Sequence, residues 1–387
     1  MAKEMRVALV GYKFMGKAHS HAWADADKYF ALKAKIAMAA ICGRNLEGVK
    51  AVAENWGWQS YETDYDKLLA RDDIDAVDVT VPNNKHHEIV MKAIKAGKHV
   101  ACEKPLAMTV AEAKEMYSAA KKAGVINMIW HNYRRTPALA LAKRMIDQGL
   151  IGTIYHVRAV YLQDWIMDPN FPLAWRLRRE VAGSGSHGDL NAHLIDTARF
   201  LVGEFDSVCA TFETFIKERP VELEGGSLFA GKVSKKKAKV TVDDAVISLA
   251  RFKNGALGTF EATRFAMGHK NGNQIEINGS KGSIIFNFER MNELQYYSAA
   301  DPADLQGFRT IPATLPGHPY MAAYWPPGHI IGYEHTFINA AADFTNAWAT
   351  GKKISPDFED GLRNQIVLEA MSQSGKAKTW VKVPSKI

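Results

Sequence analysis

The stretch VGYKFMG, residues 10–16, decides the fold of the amino-terminal part of this chain. It directly follows a short apolar run typical of a buried strand and precedes a segment of helical periodicity. A glycine-rich turn in that context is the dinucleotide-binding fingerprint GxGxxG, whose glycines permit a tight turn and close packing. Gly11 and Gly16 supply two of the three glycines, and Lys13 replaces the middle one. Taken alone, the motif is also compatible with an ordinary strand-to-helix loop.

Outward from this turn, the first third of the chain alternates short apolar runs with segments of helix length. That alternation predicts a parallel sheet covered by helices on both faces. Gly97 and Gly124 follow two of the helical segments, where a glycine supplies a left-handed cap. The predicted strands are residues 6–10, 36–42, 76–81, 99–102 and 126–130, and the predicted helices include residues 84–96 and 110–123.

Beyond the first third, apolar and polar residues alternate with period two, and turn sequences such as Lys253-Asn254-Gly255 separate the runs. The predicted strands are residues 154–161, 206–215, 241–252, 256–263, 274–278 and 283–288, and the predicted helices are residues 187–201, 333–349 and 358–377. We therefore predict an α/β protein. Residues 1–130 form a dinucleotide-binding domain, and residues 131–387 form an α+β domain with a large open, mainly antiparallel sheet.

The composition excludes several classes of protein. With 387 residues, 47% hydrophobic and 24% charged, the chain resembles soluble globular proteins of two domains. Its net charge of +7 is mild, and we interpret the densest basic run, Lys235-Lys236-Lys237 with Lys232 and Lys239 beside it, as a solvated loop tip among Gly225, Gly226 and Gly231. Three scattered cysteines favour a reducing compartment. We expect a cytoplasmic protein with no nucleic-acid partner, membrane segment or metal site.

The end of the second predicted strand bears on the choice of dinucleotide. An acidic side chain there binds the ribose of NAD, whereas an arginine suits the 2′-phosphate of NADP. The strand ends in Cys42-Gly43-Arg44-Asn45, without an acid. This favours NADP over NAD. The alternative is that Asn45 caps a helix beside a solvated Arg44.

Two further segments carry chemically active side chains. Glu103-Lys104-Pro105 follows a predicted strand, at the edge where open α/β sheets bind ligands, and the proline restrains the backbone after the lysine. Asp189 and His193 are four residues apart on a predicted helix and therefore face the same side. An imidazole can act as a general base near neutral pH, and a carboxylate can orient it or bind a hydroxyl. Taken singly, a surface lysine and a structural histidine are the alternatives.

Together these motifs resemble the Gfo/Idh/MocA oxidoreductases, the family of glucose-fructose oxidoreductase and inositol dehydrogenase. The similarity covers nearly the whole chain and includes residues 11–16, 81–86, 103–105 and 132–135, and Asp189 with His193. Within the family, stretches such as residues 132–138, 161–165, 182–185, 199–205 and 307–310 are most similar to the branch of sugar 3-dehydrogenases.

The resemblance implies an amino-terminal Rossmann domain, an active site in the cleft between the domains, and homo-oligomer contacts through the open sheet. It implies the reversible oxidation of a secondary ring hydroxyl, with hydride transfer to NAD(P). The expected substrate is a pyranose or a levoglucosan-like anhydrosugar, and the expected position of the hydroxyl is C3. The family's catalytic groups carry over to Lys104, Asp189 and His193. An inositol dehydrogenase and a catalytically silent NADP-binding regulator are the alternatives.

The expected ligand contacts form two sets. The cofactor-binding set is Gly11, Lys13, Phe14, Met15, Gly16, Gly43, Arg44, Val81, Pro82, Asn83, His86, Glu103, Lys104, Asn132 and Arg176. Sugars are bound by bidentate polar groups beside an aromatic surface. The substrate-binding set is therefore Tyr133, Arg134, Gln163, Asp164, Trp165, Arg176, Asp189 and His193, with a core position as the alternative for Trp165.

Overall fold

The computed structural model describes residues 3–223 and 233–385, which group into two compact units. The first unit contains the described residues up to Arg135 together with Ile331–Arg363. The second unit contains Thr136–Ile330 and the described residues from Asn364 onward. The predicted division at residue 130 assigned all of 331–363 to the second domain, so the structure differs from it at that segment.

The chain up to Arg135 forms a six-stranded parallel sheet in the order β3-β2-β1-β4-β5-β6. This is the strand order of the dinucleotide-binding fold. The elements are β1 (Glu4–Val10), α1 (Phe14–Tyr29), β2 (Lys35–Cys42), α2 (Leu46–Trp56), β3 (Tyr61–Glu62), α3 (Tyr65–Leu69), β4 (Ala76–Val79), α4 (His86–Lys95), β5 (His99–Cys102), α5 (Val110–Ala123) and β6 (Asn127–Ile129).

The remaining elements begin after a 3₁₀ turn at Asn132–Arg135. They are α6 (Pro137–Asp147), β7 (Ile154–Leu162), α7 (Arg179–Ala182), α8 (Ala192–Leu201), β8 (Phe205–Glu213), β9 (Glu218–Glu222), β10 (Val233–Lys239), β11 (Ala245–Phe252), β12 (Leu257–Thr263), β13 (Gly272–Gly279), β14 (Gly282–Asn287), β15 (Glu293–Ser298), β16 (Arg309–Pro312), α9 (Tyr333–Thr350), α10 (Phe358–Ala377) and β17 (Val381–Lys382).

Helix α9 belongs to the first unit because its apolar side chains complete that unit's core. Phe337, Phe344 and Trp348 lie in the same buried cluster as Trp23 of α1. The rings of Trp23 and Phe344 meet edge to face with their centroids 5.9 Å apart. Burial of large aromatic groups is the main stabilising contribution to such a core. The amino-terminal sheet therefore depends on a helix that follows it by about two hundred residues in the sequence.

A nine-stranded sheet organises the second unit in the order β16-β15-β14-β13-β7-β12-β11-β8-β17. Among its described strands, β7 and β12 pair in parallel and the other neighbours pair antiparallel. The mainly antiparallel sheet is thus confirmed. Side chains of β11 alternate between buried and exposed along the strand, which shows that one face is covered and the other is open.

The prediction of a loop tip at Lys235-Lys236-Lys237 is wrong. These lysines lie in β10, which pairs antiparallel with β9 in a separate two-stranded sheet. Lys239 faces Glu218 across the pair, and lysines are a common device for protecting exposed strands. Gly225, Gly226, Gly231 and Lys232 lie outside the described residues.

The three cysteines are free thiols, and Cys42 and Cys102 are buried. Within the described ranges, no helix has the length and apolar character needed to cross a membrane. The cytoplasmic location stays a prediction.

Candidate active site

The turn between β1 and α1 contains close backbone contacts that only glycine permits. Gly11 has φ of +109°, and its N–H donates to the carbonyl of Cys42 over 2.9 Å. A Cβ on Gly11 would lie 2.6 Å from Oγ1 of Thr80, and one on Gly16 would lie 2.3 Å from the carbonyl oxygen of Gly11. The two glycines therefore have the roles that the fingerprint predicts, a tight turn and close packing of helix on strand.

The start of α1 offers a positive end to an anion. Lys13 is the N-cap residue at φ of −85°, a conformation open to any side chain, so a lysine fits where the fingerprint has its middle glycine. In the described part of the chain no side chain caps this helix, and its first turn contains no acidic residue. Lys13 and Phe14 are exposed beside it. Glycine contacts, open N–H groups and a lysine fit the pyrophosphate of a dinucleotide.

The carboxyl end of β2 packs against the same turn. A Cβ on Gly43 would lie 2.0 Å from Cε1 of Tyr12, so the tyrosine ring occupies the space that a side chain there would need. Asn45 caps α2 by accepting from the N–H of Gly48 over 2.7 Å. The alternative in which Asn45 is a helix cap predicts this bond. Arg44 is exposed at this strand end, where it can still meet the adenosine side of a dinucleotide.

His86 connects the loops that follow β4 and β5. Its Nδ1 lies 2.9 Å from the carbonyl oxygen of Pro105, and its Nε2 lies 2.9 Å from that of Val81. The ring is fully buried, and burial lowers its pKa. Both ring nitrogens face backbone carbonyls, so His86 fixes the two loops. Its predicted contact with the cofactor stays a prediction.

Glu103 also turns inward. Its Oε1 lies 3.0 Å from Nε2 of His19, and its Oε2 accepts the backbone N–H of Lys104 over 3.0 Å. Both carboxylate oxygens have partners within the protein, so Glu103 supports the loop. Its predicted contact with the cofactor stays a prediction. Lys104 is half-buried. It remains the candidate catalytic residue of the Glu103-Lys104-Pro105 motif.

The turn at Asn132–Arg135 is held by the carboxy-terminal part of the first unit. Nη2 of Arg134 lies 3.2 Å from Oδ1 of Asp360, and the amide of Asn132 donates to Oγ1 of Thr336 over 2.7 Å. Both side chains are buried. Arg134 was expected to bind the sugar and Asn132 the cofactor. The structure gives each a structural partner more than 200 positions away in the sequence.

In the second unit, the predicted helix 187–201 begins with a π-helical turn at His187–Asn191 and continues as α8. The wider turn contains Asp189 and ends two residues before His193, so the regular α-helical spacing predicted for the pair does not hold there. Its start is fixed by Asp243, whose carboxylate accepts from the N–H of Gly185 over 2.8 Å and from that of His187 over 2.7 Å. Short π-helical segments occur frequently at functional sites.

A series of contacts leads away from His193. His193 is 6% exposed, and its ring centroid lies 5.9 Å from that of Tyr161. The hydroxyl of Tyr161 donates to Oδ1 of Asn271 over 2.7 Å, and Nε2 of Gln163 donates to the same oxygen over 3.0 Å. Oε1 of Gln163 in turn accepts from Nε1 of Trp165 over 2.8 Å. The structure therefore brings together three of the predicted site residues, His193, Gln163 and Trp165.

Arg264 links the Trp165 ring to Asp189, where this series of contacts ends. Arg264 was not among the predicted site residues. The guanidinium of Arg264 lies 5.2 Å from the centroid of the Trp165 ring, and its Nη2 donates to Oδ2 of Asp189 over 2.6 Å. Arg264 is fully buried, whereas the side chain of Asp189 is 30% exposed. A buried cation thus fixes one oxygen of an accessible carboxylate.

Tyr161 and Asn271 were also missing from the predicted site. One signal could have revealed Arg264: β7 and β12 are neighbours in parallel, so the residues after their carboxyl ends meet at one edge. The N–H of Gln163 donates to the carbonyl of Thr263 over 2.9 Å at this edge. The sequence predicted both strands but not that they pair in parallel.

Asp164 and Arg176 have partners within the second unit. Oδ2 of Asp164 accepts from Nζ of Lys270 over 2.7 Å, and this ion pair holds the pKa of Asp164 below its usual range. The guanidinium of Arg176 lies 4.4 Å from the centroid of the Trp175 ring. Both side chains are half-buried, so their predicted contacts with a sugar stay predictions.

Comparison with known families agrees with this architecture. Residues 5–131 match the model described as an oxidoreductase family with an NAD-binding Rossmann fold. Residues 139–285 match the model of the GFO/IDH/MocA C-terminal domain. The chain belongs to the Gfo/Idh/MocA oxidoreductase family. The predicted family, the enzyme class and the two-part α/β fold are thereby confirmed.

Individual members of the Gfo/Idh/MocA family are similar over the full length. The chain is 45% identical to levoglucosan dehydrogenase from Pseudarthrobacter phenanthrenivorans over 387 residues, which cover 99% of each chain. A solved structure of levoglucosan dehydrogenase in complex with NADH and levoglucosan is 44% identical, with a TM-score of 0.94 over 99% of this chain and 100% of that one. An inositol dehydrogenase homolog from Azotobacter vinelandii, bound to NADH and myo-inositol, has a TM-score of 0.81 over 99% of this chain and 98% of that one. At 20% identity it shares the fold alone.

Proposed function

We propose that this chain is an NAD(P)-dependent dehydrogenase that oxidises a secondary ring hydroxyl of a pyranose or anhydrosugar, with C3 of a levoglucosan-like sugar as the first candidate. The observation that carries the proposal is the full-length 45% identity to levoglucosan dehydrogenase. The contacts of the second unit agree with it, because the accessible carboxylate of Asp189 and the ring of Trp165 are polar and aromatic groups of the kind that bind a polyol.

Residues of the first unit would hold the dinucleotide. Gly11 and Gly16 permit the tight turn that leads into α1, and the positive end of that helix with Lys13 would offset the charge of a pyrophosphate. When bound, the dinucleotide supplies the acceptor for the hydride.

Three side chains would act on the sugar. His193 takes the proton of the reacting hydroxyl, and its near-complete burial shields that transfer from water. Lys104 donates a hydrogen bond to the same oxygen and stabilises the negative charge that develops on it. Asp189 accepts a hydrogen bond from a neighbouring hydroxyl, with its orientation set by Arg264. That these three side chains act together on one sugar is inferred from the family resemblance.

The preference for NADP stays a prediction. An exposed Arg44 and the lack of an acid at the end of β2 favour the 2′-phosphate of NADP. The NADH complex of the similar levoglucosan dehydrogenase favours NAD. Measured kcat/KM values for the two dinucleotides will decide between them.

We further propose that the open face of the nine-stranded sheet binds a second copy of this chain. Ile247 and Leu249 of β11, Leu257 of β12 and Tyr155 of β7 expose apolar surface on three adjacent strands. Contiguous apolar patches on a soluble protein mark interaction surfaces. Light scattering on the wild type and on Leu249→Lys tests this, because the charged variant is expected to dissociate. A wild-type monomer would contradict it.

A substrate panel tests the proposed activity. Levoglucosan, pyranosides and myo-inositol are each assayed with NAD and with NADP through the nicotinamide absorbance. We expect turnover with an anhydrosugar or pyranoside. Dinucleotide binding by calorimetry without turnover of any polyol would instead support a silent regulator, and selective turnover of myo-inositol would support a cyclitol dehydrogenase.

Two variants test the assigned residues. His193→Ala is expected to lower kcat by about 10²- to 10⁴-fold, the usual contribution of a proton-transfer group. Lys104→Ala is expected to lower kcat by about 10²- to 10³-fold, the usual cost of removing a donor to a developing negative charge. Lys50→Ala, at an exposed position of α2, and His156→Ala, on β7, are the matched controls and should retain activity. Turnover within a few-fold of wild type in either test variant would remove that residue from the mechanism.

A further inference from the structure

The core of the first unit contains a buried set of ionisable groups that leads to Lys104. His19 of α1 is fully buried between two carboxylates. Its Nδ1 lies 2.9 Å from Oδ2 of Asp78 on β4, and its Nε2 lies 3.0 Å from Oε1 of Glu103 after β5. Asp78 is fully buried and Glu103 nearly so. No part of this set belongs to the residues proposed to contact the sugar.

The geometry favours a protonated His19. Each ring nitrogen faces a carboxylate oxygen, and only the imidazolium can donate from both nitrogens at once. Burial alone lowers the pKa of His19, but Asp78 and Glu103 outweigh that effect and raise the pKa to about 9. The Trp130 ring, 4.0 Å away between centroids, adds an aromatic neighbour of the kind that stabilises a cation.

Asp78 is equally well fixed. Its Oδ2 also accepts from Nε1 of Trp23 over 2.7 Å, and its Oδ1 accepts from Nε1 of Trp130 over 2.8 Å. Three donors therefore hold this buried carboxylate in place. His19 is therefore anchored on the side away from Lys104, and any constraint that it applies acts on Glu103.

Glu103 passes this constraint to the backbone of Lys104. Its Oε1 faces His19 and its Oε2 accepts the N–H of Lys104, so the carboxylate connects the imidazolium to the lysine's own peptide unit. The N–H of Glu103 donates to the carbonyl of Val79 over 2.9 Å, which ties the same residue to β4.

We propose that His19 is a positioning residue for Lys104: its imidazolium holds Glu103, and Glu103 fixes the backbone from which the Lys104 side chain extends. This inference rests on the proposed function, in which Lys104 binds the reacting hydroxyl. Without the imidazolium, two buried carboxylates lose the cation between them, and Glu103 is no longer held. A catalytic group misplaced by about 1 Å can cost about 100-fold in rate.

The principal test is His19→Gln, which removes the charge and keeps one donor. We expect kcat to fall by about 10- to 100-fold, while the dissociation constant of the dinucleotide changes only a few-fold. Ser20→Ala is the matched control, since Ser20 is the next residue of α1, is buried, and loses one hydrogen bond from Trp58. Its kcat should stay at the wild-type value. Equal losses of kcat in the two variants would overturn the proposal.

A double-variant cycle tests whether His19 acts through Glu103. Glu103→Gln should lower kcat, and the double variant should be no worse than the poorer single one, because both changes break the same connection. Additive losses would contradict the proposal. Should His19→Gln fail to fold, Trp23→Phe replaces it in the comparison: it removes a donor to Asp78 but leaves Glu103 in place. Its kcat should exceed that of Glu103→Gln, and the reverse order would overturn the proposal.

Lys104→Ala separates this inference from the proposed function. If Lys104→Ala retains turnover, the role assigned to Lys104 is wrong and the positioning role falls with it. If Lys104→Ala is inactive while His19→Gln folds and turns over normally, the proposed function stands and only the role of His19 is overturned.

Discussion

The buried guanidinium of Arg264 donates from Nη2 to Oδ2 of Asp189 over 2.6 Å. Its Nε and Nη1 are buried and have no hydrogen-bond partner among the described residues. Unsatisfied buried donors lower the free energy of unfolding. Placing this cation beside the carboxylate therefore reduces the stability of the fold. A carboxylate held at one oxygen suits a group that must recognise a hydroxyl.

Replacing Arg264 should therefore impair sugar binding. A hydrogen bond to a charged group contributes about 1.5–3 kcal/mol, so we expect kcat/KM for the sugar to fall by about 10- to 100-fold in Arg264→Met. Arg264→Lys should fall less, because it keeps the charge but not the planar fork. Arg309→Met is the control, since Arg309 pairs with Asp301 over the same 2.6 Å but is 50% exposed. Similar kinetics for all three variants would contradict the role of Arg264.

The glycine turn predicts a steric effect on dinucleotide binding. In Gly16→Ala, the new Cβ meets the carbonyl oxygen of Gly11 at 2.3 Å, so the backbone must move. We expect a loss of about 1–3 kcal/mol in the free energy of unfolding and weaker dinucleotide binding, measured by denaturation and calorimetry. Gly307→Ala is the control, because a Cβ there has no atom of the described residues within 4 Å. Unchanged dinucleotide affinity in Gly16→Ala would exclude this turn as the pyrophosphate site.

Arg44 gives a direct test of cofactor choice. If it binds the 2′-phosphate, Arg44→Ala should raise the KM for NADP by about tenfold or more, the effect of one lost charged hydrogen bond, and leave the KM for NAD unchanged. Steady-state kinetics with both dinucleotides measure this, with Lys50→Ala as a nearby surface control. A wild type that prefers NAD, with no response to Arg44→Ala, would show that the NADP prediction is wrong.

His19 should make stability depend on pH. Its pKa is about 9 in the folded protein and 6.5 ordinarily, so folding favours its protonated form. This contribution, about 3 kcal/mol, is fully present below pH 6.5 and is lost as the pH rises through 9. Denaturant unfolding below pH 6.5 and above pH 9 should show a larger loss of stability in wild type than in His19→Gln. Identical losses would mean that His19 is not an imidazolium.

The sequence predicted those elements whose signals are local. Helix α5 has the predicted bounds because Thr109 and Glu112 form a capping box at its start and Gly124 ends it in the left-handed conformation. Strands β1, β2 and β5 were placed within two residues, since each is a short apolar run between clear breaks. The two-residue strand β3 was missed, because a sequence that short has no periodicity.

The roles of several site residues depend on partners that no local pattern reveals. Arg134 is predicted to bind the sugar, and the structure adds a pairing with Asp360, 226 positions away in the sequence. Glu103 is predicted to bind the cofactor, and the structure adds a contact with His19, 84 positions away. Arg264 follows a predicted strand, and no sequence pattern marks it as a site residue. Its place in the site depends on the parallel pairing of β7 and β12.

The contribution of α9 to the first core has a consequence for synthesis on the ribosome. The segment up to Arg135 leaves the ribosome long before Phe337 and Phe344 are translated. Until then, the apolar surface that covers Trp23 is missing, and exposed surface of this kind favours aggregation of nascent chains. The core of the first unit is therefore completed only after translation has passed Phe344.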